Sequence, residues 1–158
     1  MSTPNPAPSD SSRDRLRRRL FAAAAIIALL GLADGIYLTV EHITGRTAEC
    51  IASSGCQDVL SSKYAAMGPI PLAALGALAY FTAFSAALLA AFGYRKCGNF
   101  FALVVTLMFG TTVWLLYLQA FVLHAFCDYC LFSAGVTTVL TLIVITNAFL
   151  RDRAPVVR

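Results

Sequence analysis

Five cysteines set the chemical possibilities of this 158-residue chain. Two of them bound the tetrapeptide Cys127-Asp128-Tyr129-Cys130, a C-x-x-C placed where an apolar run begins. In a helix, the unpaired N–H groups and dipole of that first turn favour a thiolate over a thiol, which is how a reactive disulfide is built. Asp128 works in the opposite sense, because its charge disfavours a second anion beside it. Cys50 and Cys56 enclose Ile51-Ala52-Ser53-Ser54-Gly55, a C-x5-C whose small, flexible spacer allows the two sulfurs to fold into one disulfide. Three chemistries suit two such pairs: a thiol-disulfide relay, two inert bridges that staple loops, and a zinc site of four thiolates. Cys97, beside Arg95 and Lys96, is read as an unpaired loop thiol.

The elements that must position these residues are membrane helices. With 59% hydrophobic and 13% charged residues, and a mean hydropathy of +0.75, the chain is too apolar for a water-soluble domain of its size. Four apolar runs, at about residues 20–40, 70–92, 100–126 and 127–150, are each long enough to cross the hydrocarbon core. The expected fold is therefore an all-α four-transmembrane-helix bundle over residues 20–150, preceded by a disordered basic tail at 1–19 and followed by a tail at 151–158. The first run also fits a cleaved signal peptide, but it is too long and lacks a clean A-x-A site, so a signal anchor is the better reading. Pro69 and Pro71 open the second run, where a missing N–H costs little.

Charge sets the orientation. Of the twelve Lys and Arg residues, all but Arg46 and Lys63 sit in the clusters at the N-terminus, at Arg95-Lys96 and at the C-terminus. Such clusters, without aromatic interleaving, report topology and not a nucleic-acid partner, and they place both termini in the cytoplasm. Cys50, Cys56, Cys127 and Cys130 then share the oxidising outer face, while Cys97 lies in the reducing compartment. The stretch from Cys56 to Tyr64 has the spacing of a short amphipathic helix lying on the membrane surface, with Cys56 at its N-terminus. One helical turn carries Cys130 about 4 to 5 Å deeper than Cys127. In a relay, Cys50 and Cys56 would take electrons from a soluble dithiol protein and pass them to Cys127, and Cys130 would meet a membrane-dissolved oxidant.

Other residues admit two readings each. Asp34, inside the first run, is either a proton source or a hydrogen-bonded structural acid. His124 is close enough in sequence to act on a thiolate or an acceptor oxygen, or sits at the wet interface, and His42 is read as solvated. Trp114, Tyr117, Phe121 and Phe126 either line a ring-binding pocket or form an interfacial aromatic belt.

At these residues the sequence resembles the vitamin K epoxide reductase family in its bacterial form, from about Leu30 to Val139. The resemblance is carried by the Cys50 and Cys56 loop pair, by Val59-Leu60-Ser61-Ser62-Lys63-Tyr64-Ala65, by Gly68-Pro69-Ile70-Pro71-Leu72 and by Cys127-Asp128-Tyr129-Cys130. It implies a four-helix bundle around a quinone of the menaquinone, ubiquinone or vitamin K type, in a bacterial inner membrane. It also implies oxidation of an extracytoplasmic thioredoxin-fold, DsbA-like protein in support of disulfide formation. Carried over, Cys130 would react with the quinone, Cys127 would accept from the loop pair, and Ser62 stands where family members have a hydroxyl residue thought to assist. Read without the family, Ser62 is a serine in a polar turn. Many bacterial relatives carry a fused thioredoxin-like domain; the chain ends at Arg158, so a separate partner is expected. The DsbB type is the nearest rival, but it places its C-x-x-C in the first outer loop, whereas here it is in the second. A disulfide-braced tetraspan scaffold without activity is the contrasting reading.

Overall fold

The computed structural model describes residues 8–45, 55–62, 64–67 and 70–152. Cys50, Lys63, Pro69 and the last six residues lie outside that set. In chain order the elements are α1 (Pro8–Thr44), α2 (Cys56–Leu60), β1 (Ala66–Met67), β2 (Ile70–Pro71), α3 (Leu72–Ala91), α4 (Arg95–Tyr117), a π-helical turn (Leu118–Leu123) and α5 (Asp128–Asp152). Among the described residues four spans are long and apolar enough to cross a membrane: Ser12–Thr44, Leu72–Ala91, Lys96–Leu123 and Asp128–Arg151.

For residues 8–19 the expected structureless tail is corrected: helix begins at Pro8 and runs for 37 residues, while residues 1–7 lie outside the described set. Pro8 stands at the first helical position, where its missing N–H costs little, and arginine and leucine then propagate the helix. At 1.5 Å per residue α1 is roughly 55 Å long, so its basic turns extend well past a hydrocarbon core of about 30 Å. The second helix starts two residues later than expected, because Ile70 and Pro71 pair as a strand with Met67 and Ala66. The third span also departs from the expected 100–126. It starts at Arg95, its α geometry ends at Tyr117, it widens into the π-helical turn, and it stops at His124. His124 adopts left-handed backbone (φ 50°), and Ala125 N–H donates to the Gln119 carbonyl at 3.2 Å. Residues 124–127 are therefore a non-helical connection, and α5 follows.

Small residues bring α1 and α3 together. A Cβ on Gly31 would overlap the Tyr80 ring, and one on Gly35 would lie 3.1 Å from the Ala77 backbone. Ala24, Ala28, Ala83 and Ala87 are fully or nearly fully buried along the same seam. Close backbone approach of this kind is what holds helices together where lipid removes the hydrophobic driving force. The main core continues through Phe21, Phe101, Val105 and Leu140, with Phe21 and Phe101 meeting edge to face at 5.8 Å. Across the bundle the Tyr80 hydroxyl hydrogen-bonds the Ser133 carbonyl at 2.9 Å, the Ser133 hydroxyl at 2.8 Å and Thr137 Oγ1 at 2.8 Å, tying α3 to α5. Most large apolar side chains on the outer faces, Leu78, Leu107, Trp114 and Phe149 among them, are exposed, as lipid-facing residues must be.

Candidate dithiol site

The site is built by three departures from regular helix. The first is α2, shorter than the expected surface helix. Ser62 ends it: its N–H (3.3 Å) and its hydroxyl (2.8 Å) both donate to the Val59 carbonyl, satisfying an acceptor that a longer helix would have used. Five residues are too few for an amphipathic face at a membrane surface; Cys56 and Val59 turn inward and are buried. The second is the tight approach of Gly55, where a Cβ would lie 2.8 Å from the Phe126 carbonyl oxygen and 2.9 Å from its nitrogen. Only glycine lets the loop backbone lie against the connection in this way. The third is the π-helical turn, of a kind often found at functional sites, which turns Gln119 into the protein.

Together they form a buried cluster of Cys56, Val59 and Cys127, with Leu60, Leu123, Ala125, Tyr129 and Cys130 packed against it. Cys56 is disulfide-bonded, whereas Cys127 and Cys130 are free thiols. Cys127, 0% exposed, stands immediately before α5, and its carbonyl accepts the Leu131 N–H at 3.0 Å, which makes it the N-cap of that helix. A hydrogen bond from the Cys130 side chain lowers the Cys127 thiol to about 7. Burial opposes this shift, the Cys130 and Tyr129 N–H groups reinforce it, and Asp128 opposes it as its charge requires.

Gln119 was not visible as a site residue in the sequence. Its side chain is 2% exposed, its Oε1 accepts the Cys127 N–H at 3.2 Å, and it also hydrogen-bonds the Cys130 side chain. A polar residue in the middle of an apolar run is the signal that could have found it, as it found Asp34.

Beside Cys130 lies a cavity of about 150 Å³ whose walls include Leu38, Leu60, Leu116 and Ala134. Its polar lining includes Asp34, Ser62, Tyr80, Gln119 and Ser133, and Cys127 does not line it. Apolar walls with a few convergent polar groups and a thiol fit a planar ring bearing oxygens at its edge. His42 lines this cavity; His124, exposed, does not. Tyr117 and Phe121 also lie outside it. They stack outward in a ladder from Trp114, with centroids 5.9 and 5.1 Å apart, and are 51% and 67% exposed. Cys97 is a free thiol packed on the main core, in a different cluster from the other cysteines. Among the described residues no group of three metal-ligating side chains converges, and a disulfide sulfur such as that of Cys56 is not the thiolate that zinc requires.

A helical membrane protein with a free-thiol C-x-x-C at the head of α5, packed against a disulfide-bonded cysteine from the segment between α1 and α3, defines a class of membrane dithiol proteins. The chain matches the vitamin K epoxide reductase family over residues 22–145 and belongs to it. It is also 38% identical over 110 residues to the thiol-disulfide oxidoreductase LTO1 of Arabidopsis thaliana, a match that spans 64% of this chain and 29% of that protein.

Proposed function

We propose that the protein is a membrane thiol oxidoreductase that takes electrons from an extracytoplasmic thioredoxin-fold dithiol protein and passes them through Cys50 and Cys56 to Cys127 and Cys130, and from there to a membrane quinone. Family membership and the named activity of LTO1 support the thiol chemistry. One observation carries the direction of flow: Cys127 packs against Cys56 but not on the cavity, while Cys130 lines the cavity.

That division assigns the steps. The loop pair, reduced by the partner dithiol, attacks an oxidised Cys127–Cys130 bond at Cys127; the Cys130 thiolate leaves, and the loop disulfide closes as two electrons move inward. The result is the arrangement observed, with Cys56 oxidised and the C-x-x-C reduced. A hydrogen bond from Cys130 and the helix N-terminus hold Cys127 near its thiolate form, while Gln119 fixes both residues of the pair. A quinone, when bound, supplies the acceptor for two electrons and two protons. Asp34 and Gln119 would hold its oxygens and the leucine walls its ring, with Asp34 placed to donate a proton toward the cavity. Ser62, which lines the same cavity, closes the α2 turn over it. The positive clusters orient the cysteine end away from the cytoplasm, in a bacterial inner membrane on the resemblance to bacterial family members.

The deciding experiment is anaerobic titration of the purified, pre-reduced protein with a short-chain quinone, followed optically with thiol counting. One quinone is expected to be reduced per Cys127–Cys130 dithiol oxidised, and Cys130→Ala should abolish this with the helical circular dichroism unchanged. Quinone reduction retained in Cys130→Ala would refute the assignment.

A further inference from the structure

The opposite end of the bundle holds a second cavity, of about 200 Å³, between the ends of α1, α4 and α5. Its lining includes Arg17, Lys96 and Arg151, and no carboxylate among the described residues. These cations stand where apolar segments end: Lys96 and Arg151 are the first and last residues of their spans, and Arg17 lies one turn before the apolar run of α1. The cavity mouth is thus at the depth of lipid headgroups. Three like charges gathered round one hollow repel one another unless an anion shares it.

The polar atoms inside the cavity point the same way. Arg17 Nε is buried without a hydrogen-bond partner, and so is Asn147 Oδ1 on the facing helix. Asn147 Nδ2 is already committed to the Ile143 carbonyl at 3.1 Å, which holds that side chain in place. Arg151 Nη1 donates to Asn99 Oδ1 at 2.5 Å, a contact that orients this exposed guanidinium beside the cavity. An orphan donor and an orphan acceptor in one basic hollow suit a group that carries both phosphate oxygens and a hydroxyl.

We infer that this cavity binds the phosphodiester of an anionic phospholipid headgroup, with Arg17, Lys96 and Arg151 as its ligands. Basic pockets between membrane helices are a recurrent mode of anionic-lipid recognition. A guanidinium-held phosphate makes charge-assisted hydrogen bonds that a zwitterionic headgroup, carrying its own cation, weakens.

The test is native mass spectrometry of the full-length protein in detergent with added phosphatidylglycerol, phosphatidylcholine or inorganic phosphate, with the thermal midpoint read in parallel. Phosphatidylglycerol should be retained roughly tenfold more strongly than phosphatidylcholine and should raise the midpoint. Arg17→Gln should remove most of that preference. Arg19→Gln, which deletes the same charge from the same helix at an exposed position outside the cavity, should keep it. Lys96→Gln, also exposed, gives the same reading should the Arg17 variant fail to fold. Equal retention of the two lipids, equal loss in the Arg17 and Arg19 variants, or displacement of the lipid by equimolar inorganic phosphate would each overturn the inference.

Discussion

The two ends of this bundle are built on opposite plans. At the basic end the helices are regular and their contacts are side chain to side chain: Phe21 on Phe101, alanines along the α1–α3 seam, Leu140 and Val105 between. At the cysteine end almost every contact depends on an exception to helix geometry. A π-helical turn, a left-handed His124, a two-residue strand pair and a five-residue helix surround a small buried cluster of Cys56, Val59 and Cys127. Regular packing of the helices at one end supplies the frame on which the other holds its unusual backbone. A relay needs sulfurs within reach of one another from separate parts of the chain, and straight helices alone do not bring Cys56 to Cys127.

The contrast predicts that small changes near the cysteines act on electron transfer far more than on folding. Gly55→Ala is the sharpest case, because its methyl would lie 2.8 Å from a backbone oxygen that cannot swing aside. Displacing the loop by even an ångström should slow internal dithiol exchange by about 100-fold. Gly110→Ala, where an added Cβ meets nothing within 4 Å, should leave the rate unchanged. Stopped-flow measurement of Cys127–Cys130 reduction by the loop pair distinguishes the two, and equal rates would break the argument that Gly55 sets the approach.

Gln119→Leu should have a smaller effect. It leaves the buried Cys127 N–H without its acceptor, a loss of about 1–3 kcal/mol. Quinone-coupled turnover should fall roughly tenfold while reduction of the loop disulfide by the partner dithiol, measured separately, is spared. Gln119→Glu, which restores an acceptor, should recover part of the rate; recovery equal to that of leucine would remove the hydrogen bond from the mechanism.

The least effect is expected from acidity. With the Cys127 thiol near 7, thiolate absorbance at 240 nm in the reduced protein should rise with a midpoint about one to two pH units below that of an ordinary cysteine. The thiolate is the form present above that midpoint and is lost as pH falls through it. Cys130→Ala removes the largest stabilising contact, so the midpoint should move up, while Cys127→Ser should abolish the step. A midpoint unaltered in Cys130→Ala would show that the helix N-terminus alone sets the acidity.

Much of the fold was legible because lipid leaves a chain few choices: an apolar run near 20 residues must be helix to satisfy its own backbone. The C-x-x-C at the start of a helix was equally plain, since it stands where an apolar run begins and the first turn of a helix favours a thiolate. The ends of the helices were less so. Leu118 to Phe126 reads as continuing helix, and hydropathy carries no sign that the chain widens at Leu118 and leaves helix after Leu123. Nor does it distinguish Phe121 and Tyr117, which face outward, from a ring-binding wall.

The amino-acid order alone determined four spans and the charges that flank them. It did so because transfer from water to lipid is additive along a chain and needs no knowledge of neighbours. Tertiary structure decided the rest: that Gly55 lies on Phe126, that Gln119 holds the dithiol, and that Cys130 alone of the C-x-x-C pair lines the cavity. Those facts are close approaches between segments distant in sequence, and van der Waals distances between such segments are written in no single stretch of residues.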